Sequence, residues 1–329
     1  WAVDYGVITA DGDALGPVYA YRDSQHAQGI SLADGRVSWA DQYAVAGIQR
    51  LPFNTVNQLL AEVEPERLQQ GSVLLVPDLL MFIATGERAT ELTNASSTAL
   101  IDARTHEFSV ELMQRLGLAH ARFAPLQHPG VVRGLTDISG LPATPVVTVA
   151  THDTASAFAA VPMDDVEHAA VLSLGTWALI GTELSAPVLT DAAREANFTN
   201  EIGVEDSVRF LKNITGMWLF EECRREWAEA DGRDIPVPDL LEFAVAAGPI
   251  AARIDPDDAR WALPGFGADV LAASAVGGVV ASRGEIVRCI FESVAERVAL
   301  HLTTLAELTG RNFEVLHVVG GGARIALMM

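Results

Sequence analysis

Residues Thr144–Phe158 read TPVVTVATHDTASAF. Apolar and β-branched residues run straight into Thr151-His152-Asp153-Thr154, and small residues at helical spacing follow. The pattern predicts a buried strand that hands over to a helix and delivers a histidine and a carboxylate to one point. Parallel α/β sheets place their ligands at the carboxyl ends of strands. Asp153 at such a point could accept a proton from a substrate hydroxyl while His152 and Thr154 hold other hydroxyls. The same residue types also make a good helix N-cap, where the helix dipole stabilises a carboxylate without any catalysis. Position alone leaves both readings open.

Upstream, WAVDYGVIT (1–9) reads as a strand, and Asp11-Gly12 marks a hairpin turn into a returning strand, PVYAYRD (17–23). LPFNTVNQLLAEV has a start signal at Asn54-Thr55 and apolar residues at 56, 59, 60 and 63, so a helix is predicted. GSVLLVPDLLMFIATG reads as strand or loop through Pro77, then a helix from about Asp78 to Gly86. EFSVELMQRLGL is a short amphipathic helix ending at Gly117. Downstream, AAVLSLGTWALIGTEL folds as two strands around Ser173-Leu174-Gly175-Thr176. SVRFLKNITGMWLFEECRREWAEA goes from strand through loop to helix. The clearest helix is GEIVRCIFESVAERVALHLTTLAELTG, with Ile286, Ile290, Val294, Val298, Leu302 and Leu305 on one face and Gly310 as its stop. EVLHVVGGGARIALMM reads as strand, glycine turn, helix. The class is α/β, without internal repeat or low-complexity linker, and VPMDDVEH interrupts two patterned halves near residues 157–168.

The 329 residues, 50% of them hydrophobic, suffice for one large or two ordinary domains. A net charge of −21, with Lys212 the only lysine among 22 basic residues, argues against nucleic-acid or anionic-membrane partners. Any phosphate-bearing ligand must be held by backbone amides, local arginines or a metal ion. Cys223 and Cys289 supply neither a disulfide framework nor metal-ligand spacing, which makes a reducing cytoplasm the default. No apolar run reaches the ~18 residues of a membrane span. The chain opens at Trp1 within the predicted strand and closes within the predicted helix, so both ends read as cut.

Other stretches could meet a ligand. At the tip of the strand pair, Gly175 lets backbone approach closely, and the Ser173 and Thr176 hydroxyls can donate to phosphate oxygens; an ordinary hairpin turn needs the same residues. Gly320-Gly321-Gly322 could lie against a nucleobase or ribose, or could serve strand–helix packing. It lacks the G-x-G-x-x-G dinucleotide fingerprint and the lysine of a P-loop. The Asn213 amide can both donate to and accept from sugar hydroxyls, or stand in a surface turn. DPDD (255–258) reads as a solvated turn rather than a metal site. The remaining histidines have no paired spacing, and no G-x-S-x-G elbow supports a serine hydrolase.

YRDS (21–24), LPFNT (51–55), PDLLMFIATGE (77–87), TNASST (93–98), THDTASA (151–157), LSLGTW (172–177), NFTNEIG (197–203), LKNITGMWL (211–219) and VVGGG (318–322) form one ordered set. In that order, and over essentially the whole chain, they resemble the FGGY carbohydrate kinases. The resemblance implies an actin/hexokinase-like (ribonuclease H-like) two-domain α/β fold, incomplete at both ends. A sugar-side domain would span 1–157 and a nucleotide-side domain 158–329. Missing pieces would leave sheet edges and apolar surface exposed.

The implied activity is transfer of the γ-phosphate of ATP, with Mg²⁺, to the 1-hydroxyl of L-rhamnulose, in rhamnose catabolism in the cytoplasm. An L-fuculose or other ketose kinase is the nearest alternative, and a non-catalytic sugar- or nucleotide-binding fragment is a different class. Carried over by motif, Asp153 is the proton acceptor, and Ala2, His152, Asp153, Thr154 and Asn213 line the sugar. Thr176, Glu221 and Gly321 meet the nucleotide, and no residue is assigned to the metal. The strand would thus bring a base to the sugar, in the cleft between two domains. Three positions depart from the family pattern: Ala2 replaces a glycine, Gln25 an arginine, and Glu221 a glutamine, the last setting a negative charge beside a polyphosphate.

Overall fold

The computed structural model describes residues 1–328. The chain divides into two compact units. One comprises Trp1–Pro162 and Glu183–Leu211; the other comprises Met163–Thr182 and the chain from Lys212 onward.

The first unit starts with β1 (Tyr5–Ile8), buried along its whole length. Four short helices follow: α1 (Gly29–Asp34), α2 (Trp39–Ala46), α3 (Thr55–Leu60) and α4 (Arg67–Gln70). Helix α3 starts at the residue that the Asn54-Thr55 signal predicts. Next come β2 (Ser72–Leu75) and α5 (Val76–Thr85), where Pro77 sits in the first turn, a position whose N–H would find no helical partner in any case. β1 pairs antiparallel with β2, Tyr5 opposite Leu75 and Ile8 opposite Ser72. Val7, Val73 and Leu75 pack with Val56, Leu59 and Leu68 from the helices into the main core of this unit.

β3 (Thr90–Glu91) leads directly into α6 (Leu92–Ser96), and α7 (Val110–Arg115) begins at a Ser109 cap. Two short strands then pair in parallel with earlier ones, β4 (Arg122–Phe123) with β2 and β5 (Leu126–Gln127) with β3. β6 (Val132–Leu135) and β7 (Pro145–Val147) form an antiparallel ribbon, and α8 (Asp153–Ala159) closes the segment.

Two sequence expectations fail in this unit. The predicted returning strand at 17–23 does not form. The hairpin is one bridge long, Ile8 with Ala14, and Pro17, which has no N–H to give, follows immediately. The stretch 144–150 is also not a buried interior strand. It pairs only with β6, and its side chains alternate: Thr148 and Ala150 are buried, while Val147 and Val149 are exposed. A continuous β-branched run looks buried on both faces, but a two-stranded ribbon buries only one of them.

The second unit begins with β8 (Ala169–Leu174) and β9 (Trp177–Leu184), an antiparallel hairpin whose tip is at Gly175-Thr176, as predicted. The chain then returns to the first unit for α9 (Asp191–Glu195), β10 (Thr199–Ile202) and the start of β11 (Val208–Thr215). Strand β10 pairs antiparallel with that start, Thr199 opposite Leu211. Lys212 and Asn213 therefore lie in a strand, and the surface turn offered as one reading of Asn213 does not form there.

Helices α10 (Trp218–Asp231), α11 (Val237–Ala247), α12 (Ala268–Ser274) and α13 (Arg283–Thr309) complete the second unit, with β12 (Val315–Val319) parallel to β8. α13 buries Ile286, Ile290, Val294, Val298 and Leu305 and ends at Gly310, as its periodicity predicts. It opens with a Ser282–Glu285 capping box. After β12 the glycines turn into a single 3₁₀ turn, Gly321–Arg324, rather than the predicted helix. Glycine is disfavoured in a helical turn by about 1 kcal/mol relative to alanine, and two glycines start this one. The last residue of the predicted helix lies outside the described residues. No helix among the described residues is long and apolar enough to cross a membrane.

Candidate functional site

The sequence-predicted residues fall into two groups, one on each unit. Ala2, His152, Asp153 and Thr154 are on the first; Asn213, Thr176, Glu221 and Gly321 are on the second.

On the first unit, His152 is the N-cap residue of α8 and Asp153 its first helical residue. His152 makes no side-chain cap bond, so the simple capping role does not account for the pair. Asp153 is exposed, and its Oδ1 accepts from the Thr154 N–H (2.7 Å) and, more loosely, from the Thr154 hydroxyl (3.3 Å). A carboxylate turned to solvent, its Oδ1 engaged by Thr154, can receive a hydroxyl proton.

Behind His152 lies a buried ion pair that the sequence reading missed. Arg209 is fully buried and 3.1 Å from Glu201, which is 4% exposed. The His152 Nδ1 sits 3.5 Å from both terminal Arg209 nitrogens and 3.4 Å from Glu201 Oε2. Burial holds the His152 imidazole below the usual histidine range; Arg209 pushes the same way and Glu201 opposes. A neutral imidazole is therefore presented beside Asp153. The available signal was a charged residue inside each of two strand patterns, Glu201 in NFTNEIG and Arg209 in SVRFLKNIT.

The peptide before His152 is fastened from below. Glu91, fully buried, accepts from the Thr151 N–H (3.0 Å) and hydroxyl (2.8 Å). It also accepts from Thr93 and Asn94 at the start of α6. The Asn94 amide in turn donates to the Ala2 carbonyl at 2.8 Å. The Glu91 N–H donates to buried Asp78, which pairs with buried Arg133 at 2.9 Å. Burial pushes the Asp78 carboxyl up to about 6 against the pull of Arg133.

On the second unit, the start of α10 pins the hairpin tip. Met217 N–H donates to the Gly175 carbonyl (3.0 Å) and Trp218 N–H to the Thr176 carbonyl (3.1 Å). The three glycines have separate jobs. Gly320 has φ +94°, and a Cβ there would lie 2.6 Å from the Leu174 carbonyl oxygen; a Cβ on Gly322 would strike the Leu174 side chain at 2.4 Å. These two serve packing against the hairpin. Gly321 is exposed, and a Cβ there would meet nothing within 4 Å, which leaves room for a flat ligand.

Glu221 is in the first turn of α10 and is bound to Arg224 at 2.8 Å, so its charge is locally balanced. Lys212 is buried, and burial pushes its amine down while Asp257 pulls it up. Asp257 also accepts from His301 at 2.7 Å, and Asp255 pairs with Arg297. DPDD is thus tied into the unit by ion pairs rather than left as a solvated turn. Among the described residues no group of three or more His, Cys, Asp or Glu is placed to hold a metal ion.

Solved structures share this fold. The fold matches a ligand-bound xylulose kinase from Lactobacillus acidophilus (TM-score 0.72, 17% identity) over 99% of this chain and 67% of that one. It matches Plasmodium falciparum glycerol kinase with ADP (TM-score 0.73, 15% identity) to the same extents. This is the two-domain α/β fold of the sugar kinases. The family models for the N-terminal and C-terminal domains of the FGGY carbohydrate kinases match residues 5–159 and 170–329. The chain belongs to the FGGY family of carbohydrate kinases, transferases that phosphorylate a sugar hydroxyl from ATP, generally with a divalent metal. It is similar to the rhamnulokinases of Bacteroides thetaiotaomicron (41% identity, all of this chain and 69% of that protein) and Bacillus subtilis (35%, 98% and 67%). It spans about two-thirds of the length of these relatives.

Proposed function

We propose that the protein phosphorylates L-rhamnulose on its 1-hydroxyl to give L-rhamnulose 1-phosphate, a step of rhamnose catabolism, with Asp153 as the proton acceptor. The observation that carries this reading is the exposed Asp153 carboxylate at the start of α8, beside a neutral His152 whose backbone neighbour is fixed by Glu91. Its ligand chemistry is supported by similarity, over 98–100% of this chain, to relatives named rhamnulokinase at 35–41% identity.

In this reading the sugar hydroxyl loses its proton to Asp153 as its oxygen bonds to the γ-phosphorus and ADP departs. Phosphoryl transfer asks a protein mainly for positioning and charge neutralisation, and one carboxylate to orient the attacking hydroxyl. His152, Thr154 and the Ala2 backbone hold the remaining hydroxyls, with Asn213 as a further sugar contact on the second unit. The open backbone at Gly321 and the hydroxyl of Thr176 suit the nucleotide, and Glu221, paired with Arg224, lies four residues after Met217, whose N–H holds the hairpin tip. ATP supplies the phosphoryl group. Among the described residues no group of three or more His, Cys, Asp or Glu is placed to hold a cation; a divalent metal bound with ATP would neutralise charge on its phosphates.

The glycines give a direct check of the nucleotide assignment. Gly321→Leu leaves thermal stability within about 0.5 kcal/mol, as for other exposed sites, but raises KM for ATP. Gly320→Ala destabilises by about 1–3 kcal/mol, because its backbone is left-handed and the Leu174 carbonyl blocks a Cβ. Steady-state kinetics with thermal melts of both variants separates the two roles. The substrate is tested by coupled ADP release across L-rhamnulose, L-fuculose and other ketoses. The highest kcat/KM falls on L-rhamnulose; a higher value for L-fuculose, or binding without turnover, overturns the assignment.

A further inference from the structure

We infer that Glu91 is a positioning residue for phosphoryl transfer, acting on Asp153 through Thr151; the inference rests on the reading of Asp153 as the base. Glu91 is fully buried yet accepts five hydrogen bonds, one on Oε1 and four on Oε2. Three of the five are local. The Thr93 N–H, Thr93 hydroxyl and Asn94 N–H cap the start of α6, and a side chain serving only that helix would need no more. The other two come from Thr151, 60 residues along the chain, whose N–H and hydroxyl both reach Oε2.

Thr151 is two residues before Asp153, and between them stands only His152, whose own side chain makes no cap bond. Glu91 therefore fixes the backbone where the chain enters α8, alongside the Ser156 hydroxyl, which donates to the Ala150 carbonyl at 2.6 Å. Its own backbone is fixed in turn, because its N–H is held by both Asp78 oxygens at 3.2 Å. The same Oε2 holds the Asn94 N–H, and Asn94 holds the Ala2 carbonyl, so two segments proposed to touch the sugar depend on one oxygen atom. Charge-assisted hydrogen bonds of this kind, shielded from water, resist the small rotations that would swing Asp153 off a hydroxyl.

Glu91→Gln keeps the shape of the side chain but removes its charge, and its NH2 end opposes either the Thr93 N–H that meets Oε1 or the Thr93, Asn94 and Thr151 donors that meet Oε2. A displacement of about 1 Å at the reacting group costs on the order of 10²-fold in rate. The expected result is a fall in kcat of that order and a raised KM for L-rhamnulose, with KM for ATP unchanged. Thr151→Val deletes only the hydroxyl and keeps the N–H bond; it lowers kcat in the same direction by less, and Thr151→Ser recovers the rate. If Glu91→Gln is poorly folded, the Thr151 pair still decides the matter.

A purely structural role predicts a lowered melting temperature with parent-like kcat per folded molecule, and that result in both Glu91→Gln and Thr151→Val overturns the inference. Asp153→Asn measured alongside separates the two claims. A collapsed rate there with a parent-like rate in Glu91→Gln and Thr151→Val removes the positioning role alone. An unchanged rate in Asp153→Asn removes the base, and the inference with it.

Discussion

Replacing Asp153 by asparagine lowers kcat for L-rhamnulose by about 10²–10⁴-fold, the range expected when a positioned general base is lost, and leaves the protein folded. Both halves of that expectation come from geometry. Asparagine keeps an Oδ1 that can accept from the Thr154 N–H, as the aspartate does at 2.7 Å. Asp153 is exposed, and no ion pair among the described residues includes it, so its charge can be removed at little structural cost. What disappears is the capacity to take a proton, because a neutral amide has negligible basicity in water. Steady-state kinetics with a thermal melt tests both halves. A rate close to the parent's, in a folded variant, removes Asp153 from the chemistry.

Arg133→Met is expected to destabilise the protein by about 3–5 kcal/mol, the usual cost of leaving one member of a buried ion pair alone. The Arg133 side chain is 1% exposed and that of Asp78 fully buried. The guanidinium donates to Asp78, Gln127, Thr148 and the Ala89 carbonyl, so its loss leaves several buried acceptors without a donor. For a domain of 150–250 residues this corresponds to a fall in Tm of roughly 6–20 °C. Adding Asp78→Asn recovers part of the loss by removing the orphaned charge. By contrast, breaking the exposed Arg225–Glu229 pair on α10 changes stability by no more than about 0.5 kcal/mol. Equal effects of the two ion-pair losses in denaturant titrations contradict this account.

The features legible in the sequence are those whose cause is local. Helix α13 has a long apolar stripe, a capping serine and a glycine stop, and the tip of β8–β9 follows from Gly175-Thr176 between two apolar runs. Two errors have local causes, Pro17 after the one-bridge hairpin and the glycines at 321–322, which the strand and helix patterns outweighed. The others come from neighbours distant in sequence: nothing within TPVVTVA says how many strands will flank it, so the one-sided burial at 147–150 could not be read there. The return of residues 183–211 to the first unit is likewise a long-range event.

The same holds for the site. His152, Asp153 and the glycines were visible because their motif is contiguous. Glu91 lies 60 residues from the threonine it holds, Arg133 lies 55 from Asp78, and Arg209 lies 57 from His152. Pairs at such separations leave no spacing signal. A lone charge inside a strand pattern was the only local hint, and it names no partner.

The proposed reaction places a phosphoryl group on the primary 1-hydroxyl of L-rhamnulose. Its most direct test is the phosphorus–proton correlation NMR spectrum of the product formed from ATP and L-rhamnulose. The account predicts phosphorus coupled to the two protons on C1. Coupling to a ring or chain carbinol proton instead, or no phosphorylated sugar at all, contradicts it.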